Sequence, residues 1–309
     1  MYGREVRMAE LRSNSNKRQG HPKNFGLNRD QAMQLSEDDF KFICQFVYDT
    51  TGIVLNDSKR EMLYRRLTRI IRERKLNSFS EYCQLLIDQG EQEKDFFINA
   101  ITTNLTSFFR ENHHFEYLTN EEIPALIKSK TAEANGKKRL RVWSSASSTG
   151  EEPYSIAITI LEAMKNDLPE WDIKILATDV DSNVLAKGKA GIYDVNRIED
   201  IPQKFKQNYF FQGCGKSSQR VKVHDKLKNL ITFKQLNLLH DWPMKGPFDA
   251  IFCRNVIIYF DKKNQLELFA RYYEMLAPGG LLFLGHSENL GHYQQYFSNA
   301  GRTIFRKPY

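Results

Sequence analysis

Residues 139–164 read RLRVWSSASSTGEEPYSIAITILEAM, and this stretch decides the fold class. Its opening residues are typical of a β-strand, and a turn of small residues follows them. Beyond the turn, apolar residues recur at helical spacing. Residues 172–179, DIKILATD, predict a second strand, and residues 182–189 predict a short helix after it. The order strand, helix, strand, helix predicts a Rossmann-like, mostly parallel sheet with helices on both faces.

The pattern continues to the C-terminal end of the chain with one interruption. Further strands are predicted over residues 231–239, 248–253 and 280–284, with a helix over residues 262–276. Residues 193–229 interrupt the alternation, because they hold several aromatic residues, a Gly-Cys-Gly turn and two valines in alternating positions. This stretch predicts a small antiparallel β-subdomain inserted into the larger fold.

The first part of the chain has a different composition. Residues 1–34 hold seven basic and three acidic residues with few large apolar ones, which predicts a disordered tail rather than a binding arm. Residues 35–130 predict a helical domain with a linker, and residues 131–309 the sheet domain. The helical prediction depends on four capping boxes, in which a hydroxyl residue precedes an acidic one by three positions. These boxes are Ser36 with Asp39, Ser58 with Glu61, Ser78 with Glu81, and Thr119 with Glu122.

Composition excludes several classes of protein. The chain of 309 residues is 41% hydrophobic, which is ample for a packed core, but no stretch approaches the ~20 apolar residues of a membrane span. The four cysteines are far apart and predict reduced thiols in a cytoplasmic protein, not a metal site. His113 and His114 are adjacent, and neighbours on a helix point in different directions. We therefore expect no bound metal. The net charge of +7 suits an acidic partner.

The turn after the first predicted strand indicates the kind of ligand. A dinucleotide site needs Gly-x-Gly-x-x-Gly here, and the sequence instead has small residues followed by Glu151 and Glu152. Two carboxylates would repel a phosphate but suit an ammonium group, such as that of S-adenosylmethionine. Alternatively, they only favour the dipole of the helix that they begin. Asp179 ends the second strand, where an acidic residue commonly accepts ribose hydroxyls. Asp181, two residues later, is interpreted only as a cap for the following helix.

Five longer motifs make the interpretation more specific. They are TTNLTSFFRE at 102–111, ASSTGEEPYS at 146–155, ATDVD at 177–181, FDAIFCRNVIIYFD at 248–261 and GGLLFLGHSEN at 279–289. Over about residues 36–307 the chain resembles the chemotaxis receptor methyltransferases, the CheR family. The resemblance implies an all-helical N-terminal domain followed by a class I S-adenosylmethionine-dependent methyltransferase domain with a small β-subdomain.

The resemblance also implies an activity and its residues. Methyl would pass from S-adenosylmethionine to receptor glutamates, giving glutamate methyl esters and S-adenosylhomocysteine in chemotactic adaptation. By motif position, the implied cofactor-binding residues are Asn104, Thr106, Arg110, Glu152, Asp179, Asn237, Leu238, Arg254 and Asn255. Arg110 and Tyr259 are the implied catalytic residues, although Tyr259 is equally well explained as a packed aromatic.

The implied partner is the cytoplasmic helical bundle of a chemotaxis receptor. Residues 59–75 hold eight basic and two acidic residues, and glutamate-bearing receptor helices would attract them. The predicted docking residues are Arg65, Arg66, Arg69 and Arg72, and the alternative is a solvated face. A receptor C-terminal peptide could add a strand to the β-subdomain, but Gln219 replaces a glycine that is usual in tethering members. We expect a monomer recruited to receptor arrays, without membrane insertion or nucleic-acid binding.

Two rival functions stay open at this point. One is methylation of nucleic acid or of a small molecule, which the basic composition permits. The fourth strand, however, is followed by Cys-Arg-Asn-Val rather than by the Asn/Asp-Pro-Pro-Tyr/Phe motif of amino-methylating enzymes. The other is a scaffold that binds the cofactor or a receptor without turnover.

Overall fold

The computed structural model describes residues 33–309, so all but the last two positions of the predicted tail lie outside the described residues. The described chain forms two compact units, one of residues 33–46 and 56–101 and the other of residues 47–55 and 102–309. This division differs from the boundary predicted at residue 130, because residues 102–130 group with the sheet. Within the described residues, no helix has the length and apolar character needed to cross a membrane.

The first unit is built from four helices. They are α1 (Glu37–Thr51, whose last residues belong to the second unit), α2 (Arg60–Glu73), α3 (Phe79–Asp88) and α4 (Gly90–Ile101). Apolar residues at helical spacing form the core; among the fully buried ones are Ile43, Leu63, Leu67 and Phe97. The helix α4 has no capping box and was not predicted as a separate element.

The capping boxes have different outcomes. The Ser78 hydroxyl accepts a hydrogen bond from the Glu81 N–H at 3.1 Å, and Ser36 accepts one from Asp39, also at 3.1 Å, so both predicted caps are confirmed. The prediction for Ser58 was wrong, because its hydroxyl donates to the Asn56 side chain and α2 begins two residues later, at Arg60.

The second unit contains a seven-stranded sheet. Its strands are β1 (Lys138–Ser144), β2 (Trp171–Asp179), β6 (Ile231–Gln235), β7 (Phe248–Cys253), β8 (Leu276–Leu284), β9 (Ser298–Gly301) and β10 (Ile304–Arg306). They lie in the order β6-β2-β1-β7-β8-β10-β9, and the first five are parallel. The strands β10 and β9 complete the sheet in antiparallel pairing. The predicted mostly parallel sheet is confirmed.

Helices cover both faces of this sheet. They are α5 (His113–Tyr117), α6 (Ile123–Ser129), α7 (Glu151–Met164), α8 (Ser182–Ala190), α9 (Gln203–Tyr209), α10 (Asp225–Lys228) and α11 (Lys262–Met275). Successive residues of β1 point to opposite faces, so Val142 packs in one buried cluster and Trp143 in the other. The predicted helix start at Thr119 was wrong, because its hydroxyl bonds back to the Phe115 carbonyl inside a π-helical turn joining α5 to α6.

A second, three-stranded sheet forms the predicted β-subdomain. Its strands are β3 (Ile192–Asp194), β4 (Phe210–Gln212) and β5 (Arg220–Val223), antiparallel in the order β3-β5-β4. The alternating residues Val221 and Val223 are both buried, as the pattern predicted. The strand predicted over residues 231–239 is shorter than expected and ends at Gln235, after which the chain leaves the sheet.

Candidate active site

The site is built on the carboxyl ends of three neighbouring parallel strands, β2, β1 and β7, where open α/β sheets commonly bind ligands. The turn after β1 requires small residues for a packing reason. Gly150 has φ +98°, and a Cβ there would lie 2.8 Å from the Gly188 Cα and 2.9 Å from the Tyr193 hydroxyl. The turn therefore lies close to α8 and to the small sheet.

Asp179 occupies the end of β2 and is 8% exposed. Its Oδ2 accepts a hydrogen bond from the Ser148 N–H at 2.8 Å, and its Oδ1 accepts one from the Asp181 N–H at 3.0 Å. Burial raises the pKa of Asp179 to about 6, although these two N–H groups oppose the rise. The carboxyl group of Asp179 therefore joins the turn after β1 to the turn after β2.

Arg254, directly after β7, lies between two glutamates. Its Nη1 is 2.9 Å from the Glu152 carboxylate, and its Nη2 is 3.4 Å from the Glu111 carboxylate. The same Nη2 donates to the Arg110 carbonyl, and the Ser144 hydroxyl donates to Glu152 at 2.7 Å. One buried guanidinium thus faces two carboxylates.

The two glutamates differ in their surroundings. Burial raises the pKa of Glu152, which Arg254 and Ser144 oppose. Burial would also raise the pKa of Glu111, but hydrogen bonds from His286 and Asn255, together with the charge of Arg254, lower it to about 2. The His286 Nδ1 lies 2.9 Å from Glu111 and is at the exposed edge of the cluster.

Glu288 shapes the loop that carries Arg254 and Asn255. Its Oε1 accepts from the N–H groups of Val256 at 2.9 Å and Ile257 at 2.8 Å. Its Oε2 accepts from Asn255 at 2.8 Å and from the Gly285 N–H at 2.7 Å. Because Asn255 has φ +57°, this buried carboxylate holds a backbone conformation that is unfavourable for most residues.

The segment after Thr102 is held by Asp181. One carboxylate oxygen of Asp181 accepts from the Asn183 and Val184 N–H groups and so caps α8, as the sequence predicted. The other oxygen accepts from the Thr102 hydroxyl and from the Asn104 side chain, both at 2.8 Å. Asp181 is thus a helix cap that also positions the segment containing Asn104.

The remaining predicted residues occupy separate positions. Thr106 offers its carbonyl to Arg197 at 2.7 Å, and the half-buried Arg110 donates to the Leu105 carbonyl at 2.8 Å. The Asn237 side chain donates to the Thr50 carbonyl at 2.8 Å, and the Leu238 side chain is buried.

Tyr259 is half-buried in a 3₁₀ turn, Ile257–Tyr259, and its carbonyl accepts from the Val54 N–H at 2.8 Å. The contacts of the predicted residues therefore bring together Glu152, Arg110 and Arg254, and link Asp179 to the turn before Glu152.

Three residues of the cluster had no predicted role. Glu111, His286 and Glu288 lie inside motifs quoted from the sequence, but nothing in their spacing showed that they meet Arg254 and Asn255. Their acidic or imidazole side chains within otherwise small or apolar motifs were the available signal.

The carboxylates outnumber the cations around Arg254, so the arrangement favours a ligand with positive charge over a phosphate. Among residues 33–309, no group of three or more His, Cys, Asp or Glu side chains has an arrangement that could hold a metal ion. The carboxylates of Glu152, Glu111 and Asp179 can accept hydrogen bonds from an organic ligand with hydroxyl and ammonium groups, which are the groups that S-adenosylmethionine carries.

Comparison with known proteins agrees with this chemistry. Residues 38–102 match the all-alpha domain of CheR methyltransferases, and residues 104–306 match the SAM binding domain of CheR methyltransferases. A chemotaxis protein methyltransferase of Salmonella typhimurium is 43% identical, covering 90% of this chain and 93% of the relative. A probable chemotaxis protein methyltransferase of Rhizobium etli is 42% identical, covering 84% and 96%. "Chemotaxis protein methyltransferase 2" of Pseudomonas aeruginosa is 42% identical, covering 89% and 95%. The chain belongs to the CheR methyltransferase family.

Proposed function

We propose that this chain transfers methyl from S-adenosylmethionine to glutamate side chains of chemotaxis receptors, giving glutamate methyl esters and S-adenosylhomocysteine. The observation that carries the proposal is the set of buried carboxylates at the ends of neighbouring strands. Asp179 is the last residue of β2, and Glu152 lies in the helix after β1, paired with Arg254 after β7. Family membership supplies the acceptor, since the relatives are chemotaxis protein methyltransferases.

The residues present fit the cofactor in two ways. Asp179 offers carboxylate oxygens for ribose hydroxyls, and the excess of carboxylate around Arg254 suits an ammonium or sulfonium group. Bound S-adenosylmethionine supplies an activated methyl group on a sulfonium centre. We assign the cofactor contacts to Asn104, Thr106, Arg110, Glu152, Asp179, Asn237, Leu238, Arg254 and Asn255. Because Arg254 already pairs with Glu152 and Glu111, it would act mainly by holding them in place.

The acceptor carboxylate needs no general base, because a glutamate is ionised at neutral pH. The task of the protein is to orient the reacting groups and to exclude water. Arg110 uses one N–H group on the Leu105 carbonyl and keeps further donors for a carboxylate. We expect Arg110→Ala to lower turnover at saturating cofactor much more than it lowers stability. Tyr259 would line the path of the methyl group.

The helix α2 supplies a surface for the acidic receptor. Arg65, Arg69 and Arg72 are spaced by four and three residues, so they lie on one face, and all three are exposed. Arg66 is different, because it is only partly exposed and donates to the Ile101 carbonyl. We therefore restrict the proposed docking face to Arg65, Arg69 and Arg72, and retain Arg66 as a residue that joins α2 to α4.

Radiolabelled methyl transfer to receptors tests the proposal. Label from S-adenosylmethionine should enter receptor protein and leave it as methanol in alkali, which is diagnostic of esters. A receptor with the acceptor glutamates replaced by alanine is the matched control and should stay unlabelled. Transfer to DNA or RNA but not to receptor, or cofactor binding without any transfer, would contradict it.

A further inference from the structure

Arg197 connects the small sheet to two segments that carry proposed cofactor residues. It lies in a 3₁₀ turn, Val195–Ile198, directly after β3. Its Nη2 donates to the Thr106 carbonyl at 2.7 Å and also to the Glu151 carboxylate. One guanidinium nitrogen therefore joins the segment before Arg110 to the first residue of α7.

Glu151 is buried, at 1% side-chain exposure, whereas Arg197 is 36% exposed. The other Glu151 oxygen accepts from the Thr149 hydroxyl at 2.6 Å. The Glu151 carbonyl accepts from Ser155, whose hydroxyl in turn accepts from the Phe109 N–H at 2.9 Å. Burying the Glu151 carboxylate costs free energy of desolvation, and the positive charge of Arg197 offsets that cost.

Further contacts tie the small sheet to the same two segments. The Tyr193 hydroxyl, on β3, donates to the Thr149 carbonyl at 2.7 Å. The ring of Phe108 packs edge-on against Tyr193 and Phe210, with centroid distances of 5.1 and 5.4 Å. The small sheet is thus part of the wall that holds the turn before Glu152.

We propose that Arg197, acting through Glu151, is a positioning residue of the cofactor site. The positive charge of Arg197 holds the Glu151 side chain at the start of α7. The position of Glu151 in turn fixes the adjacent Glu152 and the Thr106 segment in the arrangement that the cofactor requires. The inference rests on the proposed function, because it assumes that S-adenosylmethionine binds beside Glu152. Since Arg197 contacts the Thr106 carbonyl and the Glu151 carboxylate, we assign its contribution to cofactor affinity and not to the methyl-transfer step itself.

A double-mutant cycle tests this coupling in the full chain. Affinity for S-adenosylhomocysteine is measured by calorimetry for wild type, Arg197→Gln, Glu151→Gln and the double variant. Arg197→Gln should weaken binding roughly tenfold, which is within the usual range for coupled sites. In the Glu151→Gln background the same change should have little effect, because the carboxylate that Arg197 compensates is gone. Arg197→Lys keeps a cation and should restore most of the affinity.

Arg220→Gln is the matched control, since Arg220 is an exposed arginine of the same small sheet that lies 4.0 Å from Asp194. It should bind as wild type does. Receptor methylation adds a second readout: Arg197→Gln should raise KM for the cofactor and leave kcat at saturation nearly unchanged, whereas simple loss of folded protein would lower kcat.

Equal affinity of Arg197→Gln and wild type, or equal losses with and without Glu151, would overturn the inference. A wild-type protein that binds no cofactor would instead overturn the proposed function, so the two failures are distinguishable.

Discussion

The charged residues of α2 and those around Arg254 show two different uses of arginine. On α2, Arg65 and Arg69 are 72% and 84% exposed and pair with glutamates one turn away on the same helix. Arg254 has 2% side-chain exposure and pairs with two glutamates of distant segments, Glu152 of α7, which is 102 positions away, and Glu111, which precedes α5. Exposed helical pairs are individually weak, whereas a buried charge is costly unless its partners are in place.

This difference in burial determines which arginine charges are available to a binding partner. Arg65 and Arg69 keep most of their surface in water, so an acidic partner can displace their weak local pairs. The charge of Arg254 is already paired within the protein, and one of its two partners, Glu152, is a residue that we assign to the cofactor. A change in the first group should alter encounter with the receptor, and a change in the second should alter the fold and the cofactor together.

The largest expected effect comes from Arg254→Met, which leaves Glu152 and Glu111 without their cation. Breaking a buried pair in this way costs roughly 3–5 kcal/mol in the free energy of unfolding. Urea denaturation measures the loss, and cofactor binding should fall with it. The matched control is Arg69→Met on α2, which should change stability by no more than about 0.5 kcal/mol. Similar losses in the two variants would contradict the comparison.

Asp179 provides a pH test inside the buried group. Because burial raises the pKa of Asp179 to about 6, the folded protein without cofactor binds this proton more tightly than the unfolded chain does. The resulting stability is fully present below the unfolded pKa of about 3.9 and is lost as pH rises through about 6. Cofactor affinity should change in the opposite sense, falling as pH drops below about 6, by up to roughly tenfold per pH unit.

Asp179→Asn is the control for both halves of that prediction. It should remove this group's contribution to the pH dependence of stability, and it should weaken cofactor binding by about 1.5–3 kcal/mol near neutral pH. Calorimetry and thermal unfolding across the pH range measure the two effects. Unchanged affinity in the variant would remove Asp179 from the site.

Charge reversal of Arg65, Arg69 and Arg72 to glutamate tests the exposed group. Receptor methylation should fall several-fold at low ionic strength, because attraction becomes repulsion, and the wild-type rate should itself decline as salt is added. Cofactor affinity should be unchanged. Reversal of Lys128, Lys187 and Lys189, which are exposed on other helices, changes the net charge equally and should have a smaller effect. Equal methylation rates in the two triple variants would exclude a specific docking face on α2.

The smallest expected effect compares two serines in the same sequence pattern. Ser78→Ala removes a cap from α3 and should cost about 1 kcal/mol in the free energy of unfolding. Ser58→Ala removes a hydroxyl that bonds only to the Asn56 side chain and should cost less than half as much. Denaturation midpoints of the two variants give the answer, and equal losses would show that the Ser78 bond is not a useful cap.

The bounds of helices and strands were predicted most accurately where the hydrophobic pattern was long and confined to one segment. The predicted strand over residues 248–253 matches β7 at both ends, and the predicted helix over residues 262–276 differs from α11 by one residue. Short patterns were less reliable, since only two of the four capping boxes formed their caps at the predicted helix starts. A hydroxyl residue three positions before an acidic one is compatible with several local hydrogen bonds, and the surrounding chain selects among them.

The residues of the candidate site also fall into two groups, those that the sequence identified and those whose contacts it did not predict. Glu152 and Asp179 were proposed from their charge beside predicted strand ends, and Arg254 was assigned from the family motif that follows the fourth predicted strand. The long-range contacts of Asp181 and Glu288 were not predicted, because each joins its own segment to another one. Asp181 reaches back to Thr102 over 79 positions, and Glu288 binds the loop at Asn255 from 33 positions away.

The sequence alone established the alternation of strands and helices in the sheet domain, the family and the residue types available for chemistry, since these follow from local periodicity and from motifs within single segments. The packing of distant segments determines which charges are buried, which partners they have and which arginines are exposed to solvent. Arg65 and Arg254 are the same residue type, and their difference is one of burial. Burial depends on how distant segments pack, and it determines whether a charge is screened by water or must be compensated by the protein.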